Sequence, residues 1–311
     1  MIYKLEPIFK ERIWGNKEIS FLYDLPYNKY APIGEAWILS CLPKNLSKID
    51  NSSIHESLNS VFKKDKNIVK KGYHKDNFPL LIKYIDSRTP LSIQVHPSTK
   101  NEFWYILECK KNSYIYYGFK KEMTKEKVEK AIKDGTICNY LNKIYVKPGD
   151  CFYIPAGTIH AIGKDIFLAE VQQSCDITYR VFDYNRLDQN GEPRELHIKE
   201  ALECINYSKT EVDKTSVHCK PDLLTHELVK TPYFKVQRIS VRGTYRFDCD
   251  DSSFHFLTVL NGFGIVNSGQ HILQAKKTDA FFVSSSHGKY SFSGKADLIF
   301  VTLWTIQKNI N

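Results

Sequence analysis

The sequence predicts a mainly β protein, closed or sandwiched, with short helical insertions, and three observations carry that expectation. Apolar residues come in short runs, alternating or continuous, at intervals too close for a helical bundle. Gly, Pro, Asn and Asp punctuate the spaces between them. The 19 Tyr and 18 Phe tilt the composition toward strands. With 311 residues, 42% hydrophobic and 25% charged, the chain is globular and long enough for one large domain or two ordinary ones.

In the first two thirds the candidate strands are 36–41, 79–85, 91–96, 103–107, 113–117, 144–147, 151–154, 166–172 and 177–183. Helical patterns interrupt them over 53–63, where Ile54, Leu58, Val61 and Phe62 share a side, and within an insertion at 124–141. The second opens at Thr124, a good N-cap, aligns Val128, Ala131 and Ile132, and reaches a stop at Gly135. A short helix-like run from Glu195 to Tyr207 precedes a polar linker, Ser208 to Pro221. Strands resume at 234–241, 254–260, 263–266, 280–284 and 297–304. This divides the chain into a larger domain, 1–228, and a smaller C-terminal β-barrel, 229–311.

Lys plus Arg number 44 against 35 Asp plus Glu, a net +9 that favours an anionic ligand wherever the charge gathers at a cleft. The basic residues are mostly lysines scattered among Asn and Glu, as in Lys120-Lys121-Glu122, with no aromatic-plus-basic motif, so no nucleic-acid partner is expected. Eight cysteines form no Cys-x-x-Cys pair and read as reduced thiols. The segment Met1 to Pro7 carries no secretory pattern and no apolar run nears membrane-spanning length, so a cytoplasmic protein without a membrane partner is expected.

The chemistry concentrates in three segments. In Leu91-Ser92-Ile93-Gln94-Val95-His96-Pro97 the strand period sends Gln94 and His96 to one face, and Glu102 opens the next strand. In Gly149-Asp150-Cys151-Phe152-Tyr153-Ile154-Pro155-Ala156-Gly157-Thr158-Ile159-His160 a strand enters a Pro-Ala-Gly turn and His160 emerges after it. Two imidazoles, a carboxylate and a Gln oxygen are a donor set for zinc, manganese or iron, with a position left for water or substrate. Taken singly each is an ordinary core or surface residue; the joint pattern is what points to a metal. In the third segment, Leu168 to Asp183, Glu170, Gln172, Thr178 and Arg180 share one parity and Val171, Ile177, Tyr179 and Val181 the other. Arg180, turned inward, is a permanently charged fork able to hold an anion or stabilise an enediolate; otherwise it forms a structural ion pair with Asp176 or Asp183.

The Gln-x-His, Glu and Gly-x5-Pro-x-Gly-x2-His pattern resembles the two metal motifs of cupins, with Gln94 where many carry a first His. Together with Ile13-Trp14-Gly15, Ile33-Gly34-Glu35-Ala36-Trp37, Phe78-Pro79-Leu80-Leu81-Ile82-Lys83, Glu102-Phe103-Trp104-Tyr105 and Gln172-Gln173-Ser174-Cys175-Asp176-Ile177-Thr178-Tyr179-Arg180, in that order along the chain, it resembles the type I phosphomannose isomerases in their short bacterial form.

That resemblance implies two cupin-type jelly-roll β-barrels and a zinc-dependent aldose-ketose isomerase acting on a phosphosugar, mannose 6-phosphate to fructose 6-phosphate, through a cis-enediol. It implies one Zn2+ per chain on His96, Glu102 and His160 with Gln94 as a fourth ligand. Arg180 and Lys100 become catalytic, and Lys83, Glu170 and Gln172 substrate-binding. The base that takes the C2 proton stays open among Glu35, Glu170, Asp176 and a metal-bound hydroxide. A homodimer is admissible. Two departures stand out: only five residues separate His96 from Glu102, where the family usually has a longer loop, and Asn16 follows Trp14-Gly15 where a second Gly is common. Rival readings are a non-catalytic sugar- or metal-binding cupin and a cupin oxygenase.

The run from Thr278 to His287 reads like a copy of the one starting at Gly149. Matching Asp150 to Asp279 sets Lys289 opposite His160. The C-terminal barrel is therefore expected to lack a metal site, with His255, His271 and His287 as surface or core histidines.

Overall fold

A computed structural model describes residues 1–50, 56–188, 191–212, 215–216, 224–269 and 271–304. Its contacts group into two units that interleave along the chain. One comprises Phe9–Trp37 and Leu80–Ser216, the other Met1–Ile8, Ile38–Pro79 and Val217–Asn311. A single cut at 228/229 does not reproduce these units. The reason is local: the N-terminal strand Ile2–Leu5 ladders antiparallel with Ala280–Val283, Ile2 opposite Val283, and so is built into the C-terminal sheet.

The Phe9–Ser216 unit is made of two sheets. Five strands run in the order Leu141–Tyr145, Tyr114–Phe119, His160–Ile162, Ile93–Val95 and Tyr179–Phe182. Seven run in the order Thr215–Ser216, Asp150–Ile154, Glu102–Cys109, Ile166–Gln173, Leu80–Ser87, Ile33–Leu39 and Ile8–Glu11. Leu80–Ser87 and Ile166–Gln173 sit centrally and are buried almost throughout, which is why they read as near-continuous apolar runs. Among their polar residues Lys83, Asp86, Ser87, Glu170 and Gln172 are buried too, and buried polar groups need partners.

Period two is obeyed where it matters. Ile93 and Val95 pack with Val128, Ala131, Ile132, Ala201 and Leu202, the apolar faces of the helices Lys125–Lys133 and Ile198–Cys204. Gln94 therefore turns to the opposite face of the five-stranded sheet. A second cluster, with Trp104, Ile106, Phe152, Ile154, Ile162 and Leu168 among its members, forms the other part of this unit's core.

The helix at Lys125–Lys133 is capped as expected, Thr124 Oγ1 accepting from Lys127 N at 3.3 Å. It does not extend to 141: Gly135 at φ +67° ends it, and a 3-10 turn, Ile137–Tyr140, follows. The earlier helix covers Leu58–Lys64 with Ser57 as N-cap; residues 53–55 of the expected span lie outside the described residues. So do Cys219 and residues 213–214 and 217–221 of the expected linker.

The other unit carries a seven-stranded sheet, Ile2–Leu5, Ala280–Val283, His255–Asn267, Gly288–Thr302, Lys235–Cys249 and Thr225–Lys230, with Ile272–Lys276 on His255–Asn267. The strands expected at 254–260 and 263–266 are one strand, bent by a bulge between Val259 and Asn261. Its core gathers Val241, Leu257, Phe281, Phe292 and Leu298. The duplicated turn is visible in detail. Asp279 Oδ2 accepts from Lys276 N at 2.9 Å, and Asp150 Oδ2 accepts from Lys147 N at 2.9 Å, the same Asp-closed turn before each strand. Among the described residues no helix is long and apolar enough to cross a membrane.

Candidate metal centre

Strand register assembles the site. His160 pairs with Gln94 on one side and Tyr117 on the other, and Gln94 pairs in turn with Arg180. In the facing sheet Gln172 lies opposite Glu102, and Glu170 lies between Lys83 and Trp104. The Pro155–His160 turn docks through Gly157 N, which donates to His96 O at 3.0 Å. Gly157 adopts φ +81°, and a Cβ there would come within 2.7 Å of Cys204 O, so the turn requires glycine.

One nitrogen each from His96 and His160 and one oxygen from Glu102 lie within 4.8 Å of one another, all three side chains buried. The tautomers follow from the partners. His96 Nδ1 donates to Ile177 O at 3.0 Å and His160 Nδ1 to Thr158 O at 2.8 Å, so both Nε2 atoms carry a lone pair and face Glu102. Glu102 Oε1 is 3.0 Å from His96 Nε2 and Oε2 is 3.7 Å from His160 Nε2. Neither His96 Nε2 nor Glu102 Oε2 has a hydrogen-bond partner. Burial pushes the His96 imidazole down to about 3 despite the pull of Glu102, and burial lowers His160 as well. Burial opposes the charge on Glu102, but His96 and Lys100 hold its carboxyl well below the usual range. Two neutral imidazoles and a carboxylate meet in the interior with His96 Nε2 and Glu102 Oε2 left unpartnered, a ligand set for a divalent ion, and the residues present fit zinc.

Around this triad the charges are paired. Lys100, buried although it follows a Pro-Ser-Thr loop, lies 3.1 Å from Glu102 Oε1 and 3.5 Å from His96 Nδ1. Lys83 Nζ lies 3.0 Å from Glu170 Oε1, and Trp104 Nε1 donates to Glu170 Oε2 at 2.7 Å. Burial works against the Lys83 charge, yet Glu170, Glu35 and Glu102 outweigh it and raise its pKa. Glu170 is raised by burial and then by Glu102, an effect Lys83 only partly offsets. Glu35 accepts from Arg12 and from Trp37 Nε1, both at 2.9 Å; against burial, Lys83 and Arg12 keep it below the ordinary value.

These groups border a cavity of about 460 Å³ whose wall includes Gln94, Lys100, Glu102, Lys83, Glu170, Glu35, Asp176 and Arg180. Gln94 Nε2 is 3.3 Å from His160 Nε2. Gln172, expected to touch substrate, does not line the cavity. It is fully buried, and its amide donates to Gln173 O and Cys175 O at 3.0 and 2.7 Å, so it shapes the turn after its strand. The sequence reading missed Arg12 and Arg194, which line the cavity, and Trp37 and Trp104, which anchor its carboxylates. Arg12 stands immediately before the Ile13-Trp14-Gly15 match and could have been included on that ground.

Residues 2–132 match the family model for the phosphomannose isomerase type I catalytic domain, and 225–303 the model for the mannose-6-phosphate isomerase cupin domain. The mannose-6-phosphate isomerase ManA of Bacillus subtilis is 34% identical over 310 residues, spanning 94% of this chain and 96% of its own. This chain belongs to the mannose-6-phosphate isomerase family. Among solved members of that family, the crystal structure of the Bacillus subtilis enzyme matches with a TM-score of 0.86 at 31% identity, over 96% of this chain and 99% of that one. A zinc-bound structure of a mannose 6-phosphate isomerase matches with a TM-score of 0.76 over 97% and 99% of the two chains; its 16% identity speaks to the shared fold. The fold is thus that of the family's β-rich, cupin-containing enzymes.

Proposed function

We propose that this chain interconverts mannose 6-phosphate and fructose 6-phosphate through a cis-enediol, with one zinc ion on His96, Glu102 and His160. The observation that carries this reading is a neutral-imidazole and carboxylate donor set sharing a cavity with Glu170, a buried carboxylate of raised pKa. Bound zinc supplies a Lewis acid for the sugar's carbonyl and hydroxyl oxygens. Gln94, which borders the same cavity, would supply its amide oxygen as the fourth donor.

Glu170 is the group that takes the C2 proton and returns it to C1. A base needs a pKa near the working pH; burial raises Glu170, whereas Lys83 and Arg12 hold Glu35 below its ordinary value. Glu35 is committed to Arg12 and Trp37, and Asp176 is an exposed residue of the cavity wall. Lys83 and Trp104 each hold one Glu170 oxygen and so fix the carboxylate's orientation. Lys100 and Arg180 offset negative charge that develops on the sugar oxygens. All seven described cysteines are free, in keeping with action in the reducing cytoplasm.

The test is a coupled measurement of fructose 6-phosphate formed from mannose 6-phosphate by native, metal-stripped and zinc-restored protein. Turnover is expected in the first and third. Glu170→Gln is expected to keep its metal and lose turnover. A metal-loaded wild-type protein that turns over no mannose 6-phosphate rules the reading out.

A further inference from the structure

We propose that Arg194, held by Asp183, is the anchor for the phosphate group of the substrate; this deepens the isomerase reading and rests on it. Arg194 lines the same cavity as Glu102, Glu170 and Arg180. Asp183 accepts from Arg194 Nε at 2.7 Å and from its Nη2, and also from Arg186 Nη2. Arg186 is further tied down by Pro90 O at 2.6 Å. One carboxylate, 5% exposed, therefore serves two guanidinium groups.

Arg180 stands beside this pair. Its Nη1 donates to Glu195 O at 2.7 Å, while its Nε is buried with no hydrogen-bond partner. Three guanidinium charges face a single buried carboxylate. Burial and then the nearby Arg194 charge lower the Arg180 pKa, a penalty that a bound anion relieves.

The other cations of the cavity are already matched: Lys83 with Glu170, Lys100 with Glu102 and Arg12 with Glu35, at 3.0, 3.1 and 2.9 Å. The remaining lining carboxylates, Glu11 and Asp176, are exposed and form no ion pair with Arg180 or Arg194. Surplus positive charge is thus localised at the Arg180–Arg194 end. A phosphate monoester, with a charge of about −1.5 to −2, matches it, and a guanidinium fork fits its oxygens. Asp183 occupies the Nε and Nη2 edge of Arg194, which leaves Nη1 for the ligand and fixes the plane of the fork. Asp183 is the positioning residue. Arg12 lines the cavity as well, but Glu35 cancels its charge, so it is not the anchor.

The phosphate lies away from the carbons that react, so its binding is shared by ground and transition states and appears mainly in KM. The experiment uses the full chain carrying Arg194→Gln or Arg194→Lys. Steady-state kinetics on the zinc-loaded protein are paired with calorimetric titration of inorganic phosphate into zinc-stripped protein, where no metal competes for the anion. Arg194→Gln is expected to raise KM for mannose 6-phosphate and weaken phosphate binding by about tenfold or more, with kcat within about threefold. Arg194→Lys, which keeps one charge but not the fork, falls between. Unchanged phosphate affinity in both variants, or a fall in kcat at constant KM, overturns the proposal. Should Arg194→Gln fail to fold, Arg194→Lys decides by the same two readouts. A wild-type protein without turnover would sink the isomerase reading, while the phosphate titration still judges the anion site on its own.

Discussion

His96 presents an unprotonated Nε2 to Glu102 Oε1 across 3.0 Å, two acceptors turned toward each other in a buried space. Such an arrangement is costly alone and favourable around a cation. Metal removal is therefore expected to destabilise the protein. At a free zinc concentration about one hundred times Kd the gain is about 2.7 kcal/mol, visible as a higher Tm on adding zinc to stripped protein. No Tm shift on restoring zinc contradicts this.

Lys83→Met is expected to cost about 3–5 kcal/mol, because it leaves Glu170 and Glu35 in the interior without the ammonium that faces them. Urea unfolding measures it. A loss below about 1 kcal/mol, the range of exposed pairs, would show that solvent already screens this lysine.

The acid limb of kcat is expected above the ordinary Glu value of 4.5, because burial raises Glu170 and a base must be deprotonated to act. Rate falls as pH drops through the raised pKa. A pH profile flat down to 4.5 would remove Glu170 from the role of base.

His255 is partly buried against Tyr290, its Nδ1 2.9 Å from the phenol oxygen, and desolvation pushes it down to about 4 despite Asp250 and Asp248. The unfolded chain, with an ordinary histidine near 6.5, binds the proton more readily between those values. Stability from this group is thus fully present above pH 6.5 and declines as pH falls toward about 4. The slope is at most roughly 1.4 kcal/mol per pH unit. Unfolding curves of wild type and His255→Gln across that window should diverge, the variant showing the shallower acid dependence.

Most of the Phe9–Ser216 unit was legible because its chemistry follows strand parity. Ile93 and Val95 face the helices, Gln94 faces the cavity, and Glu102 opens its strand as expected. Parity alone misplaced Gln172, whose position at the strand end let its amide turn to carbonyls of the following loop. Pairings across long separations were not legible. Nothing local in Ile2–Leu5 says that it will pair with Ala280–Val283, so the interleaving of the two units was missed. The same holds for Arg194, whose partner Asp183 lies across a loop and whose place in the cavity depends on that contact.

The most direct test of the central claim is a crystal of zinc-loaded protein measured at the zinc absorption edge. A single anomalous peak about 2.0–2.2 Å from His96 Nε2, His160 Nε2 and a Glu102 oxygen is the expected result. Zinc bound elsewhere, or a triad that stays empty in zinc-loaded protein, would contradict it.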